Sequence, residues 1–276
     1  MTIRTTVHRD ECYARADAGG GVDVHLDVHV PAGVERPPVV LFAHGGGWRG
    51  GDKGSVDVAY LLEHGYAVAS INYRFALQSP FPAQIHDCKA AVRYLRADAD
   101  RLGVDAGTIV AAGASAGGHL VSLLGATNGR AEFEGDRGDC LDQSSDVSGV
   151  VTFFGPQDML LRAETQPDQI LPESSLVWDL LGGALAERRE LAVMASPALQ
   201  VDERAAPMLI LQGDADRQVL VDQAERLAER LTEHGVRHEL IIAPGLTHGD
   251  KRFYQPPYRE PVLAFLRSVY GDPAEP

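Results

Sequence analysis

Four short stretches hold residue types that do acyl chemistry when a fold brings them together. In "GASAG" (113–117) Ser115 stands between two glycines, after the strand-like "TIVAAG" (108–113) and before the helix-like "AGGHLVSLLGA" (116–126). A strand entering and a helix leaving lift the serine hydroxyl above the end of a sheet, and side chains at 113 and 117 would obstruct so tight a turn. A hydroxyl is a weak nucleophile. It needs a base within hydrogen-bond reach, and that base needs a partner to fix its tautomer. His248, in "APGLTHGD", is the candidate base, flanked by small residues. Asp216, in "LQGDADRQV", is the candidate orienting acid. Asp214 competes with it, but Asp214 directly follows a strand, where an aspartate serves a turn, and the acid's loop must reach over to the histidine. The fourth stretch is "HGGGW" (44–48). Main-chain N–H groups of a glycine loop can converge on one point, which suits negative charge developing on a carbonyl oxygen.

Each stretch has a plainer reading. The chain has 29 glycines and ten histidines, and a glycine cluster after a strand is commonly a turn. What decides is where the surrounding elements put them. "VDVHLDVHVP" (22–31) alternates and reads as a half-exposed antiparallel strand. The continuous apolar runs "PPVVLFAHGG" (37–46), "YAVASINYR" (66–74), "VSGVVTFFGP" (147–156), "APMLILQGDAD" (206–216) and "RHELIIAPG" (237–245) suit buried parallel strands. Helical spacing marks 81–102, 220–235 and 256–271. Residues 157–205 are irregular, with three prolines and two patches of helical pattern. Strands alternating with helices predict an α/β fold: a mostly parallel central sheet with helices on both faces. In such sheets the functional groups gather outside the carboxyl ends of the strands, where His44, Ser115, Asp216 and His248 all fall.

Bulk properties narrow the class. A net charge of −14 with no Lys/Arg run excludes a nucleic-acid backbone as partner and disfavours an anionic membrane surface. No run approaches 18 apolar residues, and the first residues carry no secretory signal. Cys12, Cys88 and Cys140 are odd in number and widely spaced, so neither a disulfide framework nor a metal site is expected, and a reducing cytoplasm is the simplest location.

Taken together, "HGGGWRGGDKG", "INYRFALQSPFPAQIHDCKAAVRYLR", "GASAGGHL", "QGDADRQV" and "THGD" resemble the small α/β-hydrolase esterases over about residues 20–270. The resemblance is to the feruloyl/acetyl-esterase-like group, related to the hormone-sensitive-lipase-like carboxylesterases with an HGGG oxyanion loop. It implies one α/β-hydrolase domain over 1–276 with a small lid insertion at 157–205. Ser115 would be nucleophile, His248 base and Asp216 its partner, in the order usual for that fold. The N–H groups of Gly46, Gly47 and Ala116 would form the oxyanion hole. His44 would brace the glycine loop, and Tyr73, Arg74 and Asp87 would be structural. The chain departs from the pattern in two places. The segment before residue 37 is too short for the long helical cap of hormone-sensitive-lipase-like members, and Gln212-Gly213 stands where many relatives have His-Gly.

The resulting expectation is a serine carboxylesterase hydrolysing small to medium acyl esters, acetyl esters among them, with no metal or cofactor. Its partner would be a small-molecule ester, and the chain a monomer or homodimer. Trp48, Phe75, Phe154, Leu160 and Trp178 are the candidate apolar lining, since a short N-terminal segment leaves the pocket walls to 157–205 and the glycine loop. The same acyl-serine chemistry also fits an acyltransferase or a lactone- or amide-forming enzyme, and the scaffold alone fits a dehydratase- or cyclase-like member.

Overall fold

The apolar runs become the interior strands of one sheet, because a strand flanked on both sides and covered on both faces can expose no polar side chain cheaply. A computed structural model describes residues 4–16 and 21–273. The remaining ends of the expected 1–276 domain, where the first residues were read as lacking a signal, and residues 17–20 lie outside that description. Eight strands run β1 (Thr5–Ala14), β2 (Val24–Pro31), β3 (Pro38–Ala43), β4 (Ala67–Ile71), β5 (Asp105–Ala114), β6 (Gly149–Phe153), β7 (Met208–Gly213) and β8 (His238–Ala243). Their order across the sheet is β1-β2-β4-β3-β5-β6-β7-β8. β1 with β2 and β2 with β4 are antiparallel, and every later pairing is parallel. The mostly parallel sheet is the one that the sequence pattern predicts, and the arrangement is the α/β-hydrolase fold that the resemblance implies.

Two strands differ from that pattern. β1 has no apolar run (TTVHRDECYA) and was not read as a strand; its pairing to β2 makes it one, as an edge strand exposed along much of its length. β2 alternates as a half-exposed antiparallel strand should, with Leu26 and Val28 buried and His25 and His29 partly exposed, but Asp27 on the outer face is buried as well, paired with Lys53.

Among the described residues ten α-helices pack around the sheet: α1 (Ala83–Ala97), α2 (Ala99–Leu102), α3 (Ala116–Ala126), α4 (Met159–Thr165), α5 (Pro167–Ile170), α6 (Leu176–Leu181), α7 (Arg189–Met194), α8 (Pro197–Gln200), α9 (Val221–Glu233) and α10 (Arg259–Tyr270). Alternation along β3 shows the two faces. Val39 and Leu41 join a core with α1, α3 and α9, while Val40 and Phe42 join one with α10 and the single 3₁₀ turns around Leu61 and Phe253. The irregular 157–205 segment is the five short helices α4–α8, inserted between β6 and β7. No described helix is long and apolar enough to cross a membrane.

Candidate active site

Ser115 sits between the last residue of β5 and the first of α3, with φ 53° and ψ −117°, a conformation L-residues rarely adopt. Its N–H donates to the Phe153 carbonyl at 2.9 Å, and its own carbonyl accepts from the His119 N–H at 2.9 Å. The flanking glycines are needed for close approach. A Cβ at Gly117 would overlap the Ala43 carbonyl of β3, and one at Gly113 would overlap the Gly117 carbonyl. Helix start, neighbouring strand and serine are thereby locked together.

The loop after β8 delivers His248, whose Nε2 lies 2.8 Å from Ser115 Oγ. Its Nδ1 lies 2.7 Å from Asp216 Oδ2, on the loop after β7. Asp216 is buried, and its Oδ1 accepts from the main-chain N–H groups of Gln218 at 2.8 Å and Val219 at 3.0 Å. Burial pushes this carboxyl up, but the hydrogen bonds from His248, Val219 and Gln218 outweigh it and hold it below the usual carboxylate range. An ionised Asp216 takes the Nδ1 proton as its donor, which leaves Nε2 to accept from the Ser115 hydroxyl. Gln212, the departure from His-Gly, donates to Asp216 Oδ2 at 3.2 Å and to the Val219 carbonyl at 2.9 Å, pinning the acid loop. Asp214 faces solvent and accepts from the Gly245 N–H at 2.6 Å, so it closes a turn and does not reach His248. Phe154 packs edge-on against the His248 ring, centroids 4.9 Å apart.

The glycine loop abuts the same serine: a Cβ at Gly45 would lie 3.3 Å from the Ser115 Cβ. Gly46 and Gly47 have φ of +124° and +61°, and the N–H groups of Arg49 and Gly50 fold back onto the Gly46 carbonyl at 3.1 and 3.2 Å. Among the described residues, the Gly46 and Gly47 N–H groups donate to no other group. Ala116 opens α3, where an N–H has no intrahelical acceptor. Three free donors therefore border Ser115. His44 braces the loop from behind. Its ring stacks on Tyr73 at 4.7 Å, its Nδ1 lies 2.7 Å from the Gly45 oxygen, and burial depresses its pKa. Tyr73 donates to the His44 carbonyl at 2.9 Å, and beside it Arg74 clamps the wholly buried Asp87 with two nitrogens at 2.8 to 3.0 Å.

Two hollows meet at Ser115. The inner one, ≈100 Å³, is walled by Trp48, Ala116, Arg162, Ile170, Val177 and Val219. The outer one, ≈430 Å³ and more open, is walled by Asp57, Phe154, Gly249, Lys251 and Tyr254. Gly47, Leu176, Gln218 and His248 border both. Trp48 and Phe154 thus stand where the sequence reading puts them, one in each hollow. Phe75, Leu160 and Trp178 do not line either. Phe75 packs edge-on against His44 and Tyr73, behind the glycine loop. Leu160 lies in a larger surface hollow of ≈620 Å³ among charged residues of α4 and α9, which shares no residue with the Ser115 hollows. Trp178 is on α6, but the helix turns Leu176 and Val177 toward the serine and carries the next residue round to another face. Leu176, Arg162 and Gln218 were missed, since the irregular segment has no periodicity that marks which of its residues face the sheet end.

The family model described as BD-FAE matches residues 26–231, and the chain belongs to that family. It is 31% identical to Esterase LipC of Mycobacterium tuberculosis over 256 residues, covering 89% of this chain and 60% of LipC. The chain thus spans about 60% of that relative's length. A structure described as a truncated form of carbohydrate esterase from gut microbiota superposes with a TM-score of 0.86 at 29% identity, over 97% of both chains. A bifunctional GH43-CE of Bacteroides eggerthii gives 0.85 at 31% identity, over 96% of this chain and 38% of that one.

Proposed function

We propose that this BD-FAE family member is a serine carboxylesterase that removes a small acyl group from a larger alcohol. The observation that carries the reading is the unbroken hydrogen-bond chain from Ser115 Oγ through His248 to Asp216, at 2.8 and 2.7 Å, beside three unused main-chain donors. The esterase relatives and the carbohydrate-esterase structure support it.

In the reaction, His248 Nε2 takes the hydroxyl proton as Ser115 Oγ attacks the ester carbonyl. The carbonyl oxygen becomes negative among the N–H groups of Gly46, Gly47 and Ala116, main-chain donors that have no other acceptor among the described residues to give up. Asp216 stabilises the imidazolium and keeps the ring in line. The imidazolium then gives its proton to the departing alcohol. Water, deprotonated by the same histidine, attacks the acyl-serine and releases the acid. Every group needed for these steps belongs to the chain.

Size assigns the two hollows. The inner one holds a short acyl group, since at about 10–15 Å³ per water it has room for roughly seven to ten waters. The outer one is several times larger and opens to solvent, so it takes the alcohol. Leu176, 42% exposed at the border of both, is the residue of the 157–205 segment that acts as a lid over the scissile bond. Turnover of p-nitrophenyl esters from acetate to palmitate, by the native protein and Ser115→Ala, tests the reading. Short-chain turnover that vanishes in the variant is the expected result; native protein inert toward every ester overturns it.

A further inference from the structure

The inner hollow carries a charge that the esterase chemistry does not use. Arg162, near the end of α4, is only 7% exposed and lines the hollow together with Ser115 and Ala116. Its Nη2 donates to the carbonyl of Gln218, another wall residue, at 2.8 Å, which fixes the guanidinium at that wall. Its Nε has a long contact of 3.4 Å to Gln166 Oε1. No carboxylate comes within ion-pair distance of it among the described residues. Asp222 and Asp216 act on it through space only, and Asp216 is committed to His248. Burial pulls its pKa down to about 10, so it remains cationic at neutral pH. A guanidinium has five N–H donors, and Nη1 here meets no acceptor among the described residues. Buried charges are normally paired, because an unpaired one loses its hydration without recompense. In a chain of net charge −14, with acids plentiful, Arg162 has no ion-pair partner among the described residues and stands in the wall of the inner hollow.

We propose that Arg162 is the anchor for a carboxylate at the far end of the acyl group, so that the preferred substrates are half-esters of short dicarboxylic acids. The proposal rests on the esterase reading and names its acyl specificity. The guanidinium matches a carboxylate in a two-pronged geometry that an aliphatic chain cannot use. Ser115 forms an ester with one carboxyl of the diacid and expels the alcohol, which takes the proton from His248. The second carboxylate stays on Arg162 throughout, and water then releases the free diacid. An acyl chain of matching length that ends in methyl would leave Arg162 buried and unpaired, a difference that hydrogen-bonding sites turn into large discrimination.

The test is a pair of length-matched series measured by pH-stat: monoethyl malonate, succinate and glutarate against ethyl butyrate, pentanoate and hexanoate. The native protein should favour at least one half-ester over its neutral partner by tenfold or more in kcat/KM. That ratio should collapse in Arg162→Met and recover in part in Arg162→Lys. Because a variant at a buried site can misfold, a second measurement uses the native fold: the corresponding dicarboxylates should inhibit ethyl butyrate turnover competitively, and the monocarboxylates should not. Neutral esters turned over as well as half-esters, with no competitive inhibition by any dicarboxylate, would overturn the Arg162 assignment and leave the esterase standing. Absence of turnover for both series, together with no labelling of Ser115 by a fluorophosphonate, would remove the esterase reading itself and the assignment with it.

Discussion

The indole of Trp48 donates to Nδ1 of His119 at 3.2 Å, and the other ring nitrogen of His119 lies 2.6 Å from the Ala195 carbonyl. One residue follows the glycine loop, the other sits one turn into α3, and the carbonyl belongs to the end of the 157–205 segment. A single neutral imidazole therefore ties together the glycine loop, α3 and the end of α7. It must be neutral, because Nδ1 has to accept while Nε2 donates.

That tie has a pH signature. His119 is wholly buried, and burial drags its pKa down to about 4. The unfolded chain, with a histidine near 6.5, binds the proton first. Native stability thus falls as pH drops from about 6.5 toward 4, by roughly 3 kcal/mol in all for this group. His119→Gln can keep both hydrogen bonds without titrating. Urea unfolding from pH 4.5 to 7 should show a shallower slope in the variant by close to one proton. Some slope should remain, since burial depresses His44 and His86 in the same sense. Identical slopes in the two proteins would contradict the assignment.

The backbone at Ser115 is held in a region that favours glycine, at φ 53°. Ala and Gly at this position both lack the hydroxyl, and both should cut kcat by at least about 10⁴-fold. Their stabilities should differ in an unusual direction. Glycine normally costs 0.5–1 kcal/mol relative to alanine, but here it relieves strain of about 1–3 kcal/mol. Calorimetry should find Ser115→Gly more stable than Ser115→Ala; the ordinary order would show that the elbow stores no strain.

The two aspartates of the acid loop should separate cleanly. Asp216→Asn should lower kcat by about 10³–10⁴-fold, because the amide holds the wrong histidine tautomer. Asp214→Asn alters only the turn bond to Gly245 and should leave kcat within about threefold. Asp216 also adds to stability above the unfolded carboxylate value near 3.9, a gain lost as pH falls through its lower folded value. Comparable kcat losses in the two variants would remove the distinction.

Gly46 and Gly50 make a matched pair in one loop. A Cβ at Gly46 would overlap the Gly50 carbonyl, with φ at +124°, whereas a Cβ at Gly50 meets nothing within 4 Å. Gly46→Ala should displace the Gly46 and Gly47 donors and cost about 10²–10³ in kcat. Gly50→Ala should cost less than threefold. Steady-state turnover of p-nitrophenyl acetate by both variants decides it, and equal losses would mean that the loop tolerates no side chain anywhere.

Periodicity and local chemistry settle a great deal at the level of sequence. The runs at 37–46, 108–113, 147–156 and 206–216 are strands because a covered sheet interior suits short, largely apolar runs bounded by glycine, proline or aspartate. Ser115, Asp216 and His248 were legible for the same reason: each follows such a strand, and loops at strand ends converge. The glycines at 113 and 117 were legible because their lack of a side chain is itself the requirement.

Only the tertiary structure could choose among residues with no local pattern. β1 is a strand solely because β2 offers it a partner edge. Leu176 and not Trp178 faces the serine because α6 is rotated by its packing, including the Arg49–Asp179 ion pair, and one residue along a helix turns about 100°. Phe75 and Leu160 carry the right chemistry and lie in the wrong place. Arg162 looks like any charged residue of an amphipathic stretch until the fold buries it without an ion-pair partner and sets it in the wall of the hollow that the nucleophile also lines. Type and spacing are properties of the chain, whereas burial and adjacency across the sheet arise from contacts between residues far apart along it.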